Sequence, residues 1–436
     1  MKSDAQAVTG RFYTPARLGL LFLAIAVLLL LRKPDLLGNP QLYAEDASVF
    51  FRDQVVSPWS AVFQPYNGQF HLIPRFIALL EALFPISVAP LVCAFLSVIV
   101  HAICLSVVFL PWNRWLIGND LLRAAAAVVL ATGLDGEAMI GFSGPLMWYL
   151  FLAGMLLLFR PDDPGPEPRW RSVARVGAMA AIGLSAAPMT VLAPFALWRA
   201  IRCRGLQRAL AMTLLAAIVV QSFALVFSER SDRPPEPLAG VAMLLWQVAA
   251  ATMISWAYAG FVTPLAGRNA GVALSALPST GPPLFVVIGV AVLVTWLLTS
   301  SSRQQRARLA IALYAAISPL ALALYGRNLV GLALTLNSNA AQTPARYVVL
   351  AGAVLVYMAC LIIERLRLPP RFQAACLILV FTIGIIGNFS QPPYPDRHWK
   401  DAYPRISAWR SARAAGRVQR LVIPIEPLPW NMVFPN

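Results

Sequence analysis

The chain has 436 residues, of which 59% are hydrophobic and only 12% charged, so it lacks the polar surface that a soluble protein of this size needs. Its net charge of +16 does not imply nucleic acid, because the basic residues fall in short segments between apolar runs, where they orient helices in a bilayer. The five cysteines (Cys93, Cys104, Cys203, Cys360, Cys376) lie in or beside apolar runs without CxxC spacing, which argues against a disulfide framework or a zinc site.

The first apolar run, Leu18–Leu31, has a basic flank but no small-residue cleavage site after it, so it reads as a first spanning helix and not as a leader peptide. Residues 32–85 form a long polar-and-apolar segment before the second run, Ile86–Leu110. Then follow Leu121–Leu134, Leu146–Phe159, Val173–Ala187, Met189–Ala200, Ala209–Phe227, Leu284–Leu298, Leu309–Tyr325, Tyr347–Ile363 and Ala374–Ile386. A spanning helix needs about 20 apolar residues to cross a hydrocarbon core of roughly 30 Å, and these runs predict an all-α polytopic membrane bundle of about eleven transmembrane helices. With the amino terminus in the cytoplasm, the segments bearing Arg114 and Arg123, Arg160 to Arg175, Arg199 to Arg208, Arg303 to Arg308 and Arg365 to Arg371 share the cytoplasmic side, as the positive-inside rule requires.

That topology puts the carboxyl terminus outside. Residues 229–283 are expected to lie outside or partly embedded, since Pro264, Gly267, Pro278, Gly281, Pro282 and Pro283 interrupt any span there. Residues 1–389 then form one transmembrane module, and 390–436 form an extracytoplasmic tail too polar to span.

The first outer loop, 32–85, is the segment richest in candidate chemistry. Its Glu45, Asp46, Val49, Phe50 and Asp53 place an acidic and an apolar face on a short helix lying at the membrane surface. Two adjacent carboxylates there are either a helix start favoured by the helix dipole or a reactive pair, in which one acid deprotonates a hydroxyl while the other orients it or coordinates a cation.

Tyr43-Ala-Glu-Asp-Ala-Ser-Val-Phe-Phe51, followed by Pro65-Tyr-Asn-Gly-Gln-Phe-His-Leu-Ile-Pro-Arg75, resembles the first outer loop of bacterial GT-C-type glycosyltransferases. These polytopic enzymes move a sugar from a polyprenyl-phosphate carrier to an acceptor outside the cytoplasmic membrane, and the likeness extends to the architecture of the whole chain. The resemblance implies a GT-C-like bundle with interfacial helices in the first outer loop and an acidic catalytic base there, Glu45 or Asp46, with Asp46 preferred.

Further segments fit the same likeness. Asp135-Gly-Glu137 with Phe142-Ser-Gly-Pro-Leu-Met-Trp148 resembles a Glu…Trp segment of that branch, although Gly144-Pro145 stands where an asparagine is expected. Glu137 and Trp148 become acceptor-side candidates, against the alternative of a loop acid without a role. Ala345-Arg346-Tyr347 opens a run at the outer face, where an arginine can hold a phosphate through its fork of donors or, with the tyrosine, simply anchor the helix at the interface. Arg75 and Arg327 are similar phosphate candidates. His71 lies near the acidic pair and is a second acceptor-side candidate, although a single histidine is more often structural. The tail Val422-Ile-Pro-Ile-Glu-Pro-Leu-Pro-Trp430 can fold back over the outer face, with Trp430 stacking on a sugar or serving as an inert plug.

The implied reaction is an inverting transfer from a polyprenyl-phosphate-sugar donor to a glycan or lipid acceptor, among membrane lipids and with no nucleic acid partner. No glycine-rich phosphate loop suggests a nucleotide-sugar donor. No cofactor is required by the sequence, and assistance by a divalent cation, magnesium or manganese, is left open. The rivals are a transporter or flippase of lipid-linked sugars and a surface-polysaccharide polymerase or ligase; the first is disfavoured because acids are scarce within the spans, where each costs roughly 2.5–3.5 kcal/mol.

Overall fold

The computed structural model describes residues 13–134, 139–161, 168–227, 258–270, 282–326, 345–417, 419–427 and 429–435. It is predominantly helical. In chain order the main elements are α1 (Pro15–Arg32), α2 (Leu72–Glu81), α3 (Ala89–Ser106), α4 (Asp120–Thr132), α5 (Leu146–Leu158), α6 (Arg169–Gly183), α7 (Ala193–Arg202), α8 (Gly205–Phe227), α9 (Pro282–Ser300), α10 (Arg303–Gly326), α11 (Ala345–Arg365), α12 (Pro370–Phe389) and α13 (Trp399–Ala414), then the strands β1 (Leu421–Pro424) and β2 (Asn431–Phe434).

Among the described residues, α1, the Ile86–Phe109 stretch containing α3, α8 and α12 are long and apolar enough to cross a membrane. Their outward rows explain why they need one. On α1, Leu20, Leu23, Val27 and Leu31 recur at helical spacing and are exposed, as are Leu379, Ile383 and Ile386 on α12, an arrangement that water would penalise and lipid would solvate.

The eleven expected crossings reduce, among the described residues, to these four, or five if α6 with 187–202 counts as one span. The runs Leu121–Leu134 and Leu146–Phe159 form helices of only 13 residues each, shorter than a hydrocarbon core. Val173–Ala187 and Met189–Ala200, read as two crossings, are the arms of one bent pair, with 112° between them at the break before Pro188. The bent pair returns to the end it left: Arg199 Nη2 donates to the Arg160 carbonyl oxygen at 3.0 Å, and Gln207 Nε2 donates to the same oxygen at 2.7 Å.

The basic segments gather at one end of the bundle. Asp120 at the start of α4 accepts from the Tyr13 backbone N–H and pairs with Arg114 and Arg123. Glu364 of α11 accepts from the backbone N–H groups of Gly118 and Asn119, Arg365 reaches Ser300 at the α9–α10 junction, and Arg308 stacks over Trp115.

At the opposite end the buried Arg32 ties three helices together. It donates to the carbonyl oxygens of Ala131 in the last turn of α4, of Leu134 just after it, and of Asn388 and Phe389 at the end of α12. These are terminal carbonyls without intrahelical partners, and a guanidinium satisfies several of them at once. The part of 229–283 that is described packs at this same end, where Asn388 Nδ2 donates to the Thr263 carbonyl and its Oδ1 accepts from the Arg268 backbone N–H.

The tail, expected as an ordered polar loop, holds a helix and two strands. Helix α13 inserts Trp399, whose Nε1 donates to the Ile86 carbonyl, and β1 and β2 pair antiparallel with Leu421 opposite Phe434.

Candidate functional site

The acidic pair sits at the end of the bundle away from the basic segments, where Glu45 caps and Asp46 opens a short π-helix, Asp46–Phe51. Such widened turns commonly occur at functional positions. The chain enters it through Ala44, whose φ of 41° is left-handed and uncommon for a residue with a Cβ. The cost, about 1–2 kcal/mol, is offset by a hydrogen bond from the Ala44 N–H to the Glu426 carbonyl at 2.6 Å. The tail therefore does fold back onto the acidic loop, with Tyr43 bridged to Glu426, while an ion pair between Arg397 and Glu426 joins two parts of the tail itself.

Glu45 and Asp46 point into different surroundings. Asp46 is 3% exposed. Its Oδ1 accepts from Ser143 Oγ at 2.5 Å and from the Gly144 N–H at 3.1 Å; its Oδ2 accepts from the Ser143 N–H at 2.9 Å and faces the Cys93 thiol at 3.9 Å. Four donors fill a carboxylate's acceptor sites and fasten the 32–85 segment to the turn that starts α5. Burial pushes the Asp46 carboxyl up to about 6, against the lowering effect of the Ser143 bonds. Glu45 is half-buried, and among the described residues it makes no side-chain hydrogen bond or ion pair.

A second buried carboxyl lies close by. Glu81 ends α2 at 1% exposure and is pushed up to about 8, first by burial and then by the negative charge of Asp46. Glu81, Cys93 and Ser143 have no place in the reading of the sequence. The signal for Glu81 was nevertheless present: Pro74, Ile77, Ala78 and Glu81 fall on one face of α2 at helical spacing, so an acid stood in a core stripe.

The other candidates fall in several places. Arg75 is buried and committed to Asp53 at 2.6 Å, with its guanidinium 5.2 Å from the Phe50 ring. His71 is buried between the rings of Phe50 and Tyr66. Trp148 is buried in the first turn of α5, beyond the turn that Asp46 holds. Trp430 is half-buried in the connection between β1 and β2. Arg346 and Tyr347 belong to the first turn of α11, but their side chains, like Glu137 and Arg327, lie outside the described residues.

Among the described residues no group of three or more histidine, cysteine, aspartate or glutamate side chains is arranged to hold a metal ion. Chemically the site offers a partly accessible carboxylate beside a buried, hydrogen-bonded one, at a bundle end that also carries the half-buried Tyr43 and Tyr394, their ring centroids 5.0 Å apart. No family model, no curated protein and no solved structure matches the chain.

Proposed function

We propose that the chain is a GT-C-like membrane glycosyltransferase that moves a sugar from a polyprenyl-phosphate donor to a glycan or lipid acceptor at the periplasmic face of a bacterial cytoplasmic membrane. The observation that carries this reading is the divided environment of the adjacent acids. A general base needs a lone pair within reach of the proton it abstracts, and the four donors on Asp46 leave it none. Glu45, half-buried and unpaired among the described residues, keeps its lone pairs. The sequence preference for Asp46 as base is therefore reversed: Glu45 takes the proton, and Asp46 anchors the loop that presents it.

In this reaction the acceptor hydroxyl gives its proton to Glu45 as its oxygen attacks the anomeric carbon. The bond from that carbon to the carrier phosphate breaks, and polyprenyl phosphate leaves with the electron pair, inverting the centre. An arginine facing the leaving phosphate stabilises the charge. Arg346 with Tyr347, and Arg327, remain proposed for this part from the resemblance. Arg75, held by Asp53, is better suited to fixing α2.

The test compares Glu45→Gln and Asp46→Asn in transfer from a labelled polyprenyl-phosphate sugar in membranes. Glu45→Gln is expected to lose about 10²–10⁴-fold in rate, the usual contribution of general acid–base catalysis, without loss of folded protein. Asp46→Asn is expected to lose activity together with stability. Undiminished transfer by both variants would falsify the assignment.

One observation favours a second reading, a transporter of lipid-linked sugars: Asp46 and Glu81 form a buried, protonatable pair near one membrane face. Proton uptake that follows lipid-linked sugar movement, with no glycosidic product, would select that reading.

A further inference from the structure

Glu81 is a buried acid that the proposed chemistry leaves unused. Among the described residues its Oε2 has no hydrogen-bond partner, and the groups facing it are few. From α3 comes Cys93, whose thiol interacts with Glu81 and lies 3.9 Å from Asp46 Oδ2, and from the π-helix comes Asp46 itself. The remaining charged groups on neighbouring elements are occupied elsewhere or distant. Arg75 on α2 and Arg52 both pair with Asp53. The turn Ser60–Phe63 carries no titratable group, and the arginines of α6 (Arg169, Arg171 and Arg175) precede its buried residues, near the basic end.

The two carboxyls are hydrogen-bonded in opposite senses. Asp46 meets four donors, which suits an ionised, acceptor-only carboxylate. Among the described residues Glu81 meets no cation, and its buried Oε2 meets no donor. A charge there would be uncompensated, and only the protonated acid avoids that penalty. A protonated Glu81 can donate to the Cys93 sulfur, which leaves the thiol hydrogen for Asp46.

We propose that Glu81 is the proton-holding partner of Asp46, a positioning residue whose neutral carboxyl leaves Asp46 as the single charge at this junction and keeps the 143–145 turn clamped beside Glu45. Its consequence for Glu45 rests on the glycosyl-transfer reading; the protonation states do not. The ordering of the two acids agrees, Asp46 being raised to about 6 and Glu81 to about 8, so that between these values one proton resides in the pair, on Glu81. Above about 8 the second charge appears and repels Asp46.

The experiment is infrared difference spectroscopy on the full chain in lipid nanodiscs, with the pH profile of sugar transfer measured alongside. A protonated-carboxyl stretching band is expected at neutral pH in the parent chain and in Asp46→Asn, absent from Glu81→Gln, and the transfer profile of Glu81→Gln is expected to lose its alkaline fall. If the parent band is missing, or persists unchanged in Glu81→Gln, the proposal is overturned. Should Glu81→Gln fail to fold, Cys93→Ala serves: losing the sulfur acceptor must shift the Glu81 band, and an unshifted band overturns the proposal. A chain that shows the Glu81 band but transfers no sugar refutes the transferase reading alone.

Discussion

At the scale of single residues, burial makes the two hidden acids sensitive to pH in a direction opposite to that of a salt-bridged carboxylate. Glu81 has a folded-state value of about 8, above the ordinary 4.5, because burial disfavours its charge. A group raised in this way binds more protons folded than unfolded across that interval. Its contribution is fully present below the ordinary glutamate range and is lost as pH rises toward about 8. Asp46 acts in the same sense over the narrower interval from 3.8 to about 6. The stability of the parent chain to thermal unfolding should therefore fall from pH 5 to pH 9, by an amount on the order of a few kcal/mol. Glu81→Gln should remove the part of that decline above pH 6. A parallel decline in both chains would place the titration elsewhere. Asp46 was legible in the sequence because it stood in a polar island within an apolar chain; Glu81 was legible only as an acid at the spacing of a core stripe, which does not tell it from a solvated last turn until the partners of α2 are known.

At the scale of elements, the packing of α12 depends on backbone approach more than on side-chain volume. A Cβ added at Gly384 would overlap the Pro264 carbonyl, and one at Gly387 would lie 2.8 Å from the Gly267 Cα. Both obstacles are backbone, which cannot swing aside as a flexible side chain can. Gly384→Ala should thus separate α12 from the 263–267 turn and with it the Asn388 contacts to Thr263 and Arg268. The comparison is Gly177→Ala on α6, where a Cβ meets nothing within 4 Å and helix propensity predicts a gain of up to about 1 kcal/mol. Yield and thermal stability in detergent should fall sharply for the first and be unchanged or improved for the second. Equal behaviour would show that the close approach is not needed. The sequence supplied the apolar runs but not the bend at Ser185–Pro188, because apolar length counts hydrophobic residues and is blind to where a proline-bearing segment turns the chain back. It likewise missed α13, whose Pro404 and many charges resemble a loop, although its buried Trp399, Ala402, Ile406 and Trp409 share one face.

At the scale of the whole molecule, the structure separates two chemistries by the length of the bundle. Helix α1 runs from just after Tyr13, which is bonded to Asp120 among the basic segments, to Arg32, bonded to the carbonyls beside the acidic loop. One helix thus joins both ends, and the segments identified as basic in the sequence converge on the first of them through contacts that charge counting alone does not specify. If those segments are cytoplasmic, as the excess of arginine requires, the acidic pair, α13 and the β1–β2 hairpin face the other compartment. Single cysteines placed in a chain freed of its native ones decide this. A cysteine at Trp59 or Lys400, both exposed near the acidic end, should react with a membrane-impermeant maleimide in intact cells. One at Arg204 or Arg303 should react only after the membrane is opened. The reverse pattern would put the acidic pair in the cytoplasm, where nucleotide sugars are present, and would remove the reason for a polyprenyl-phosphate donor. Labelling of all four in intact cells would mean that the bundle does not divide two compartments at all, and the opposition of basic and acidic ends would then be a property of packing without topological meaning.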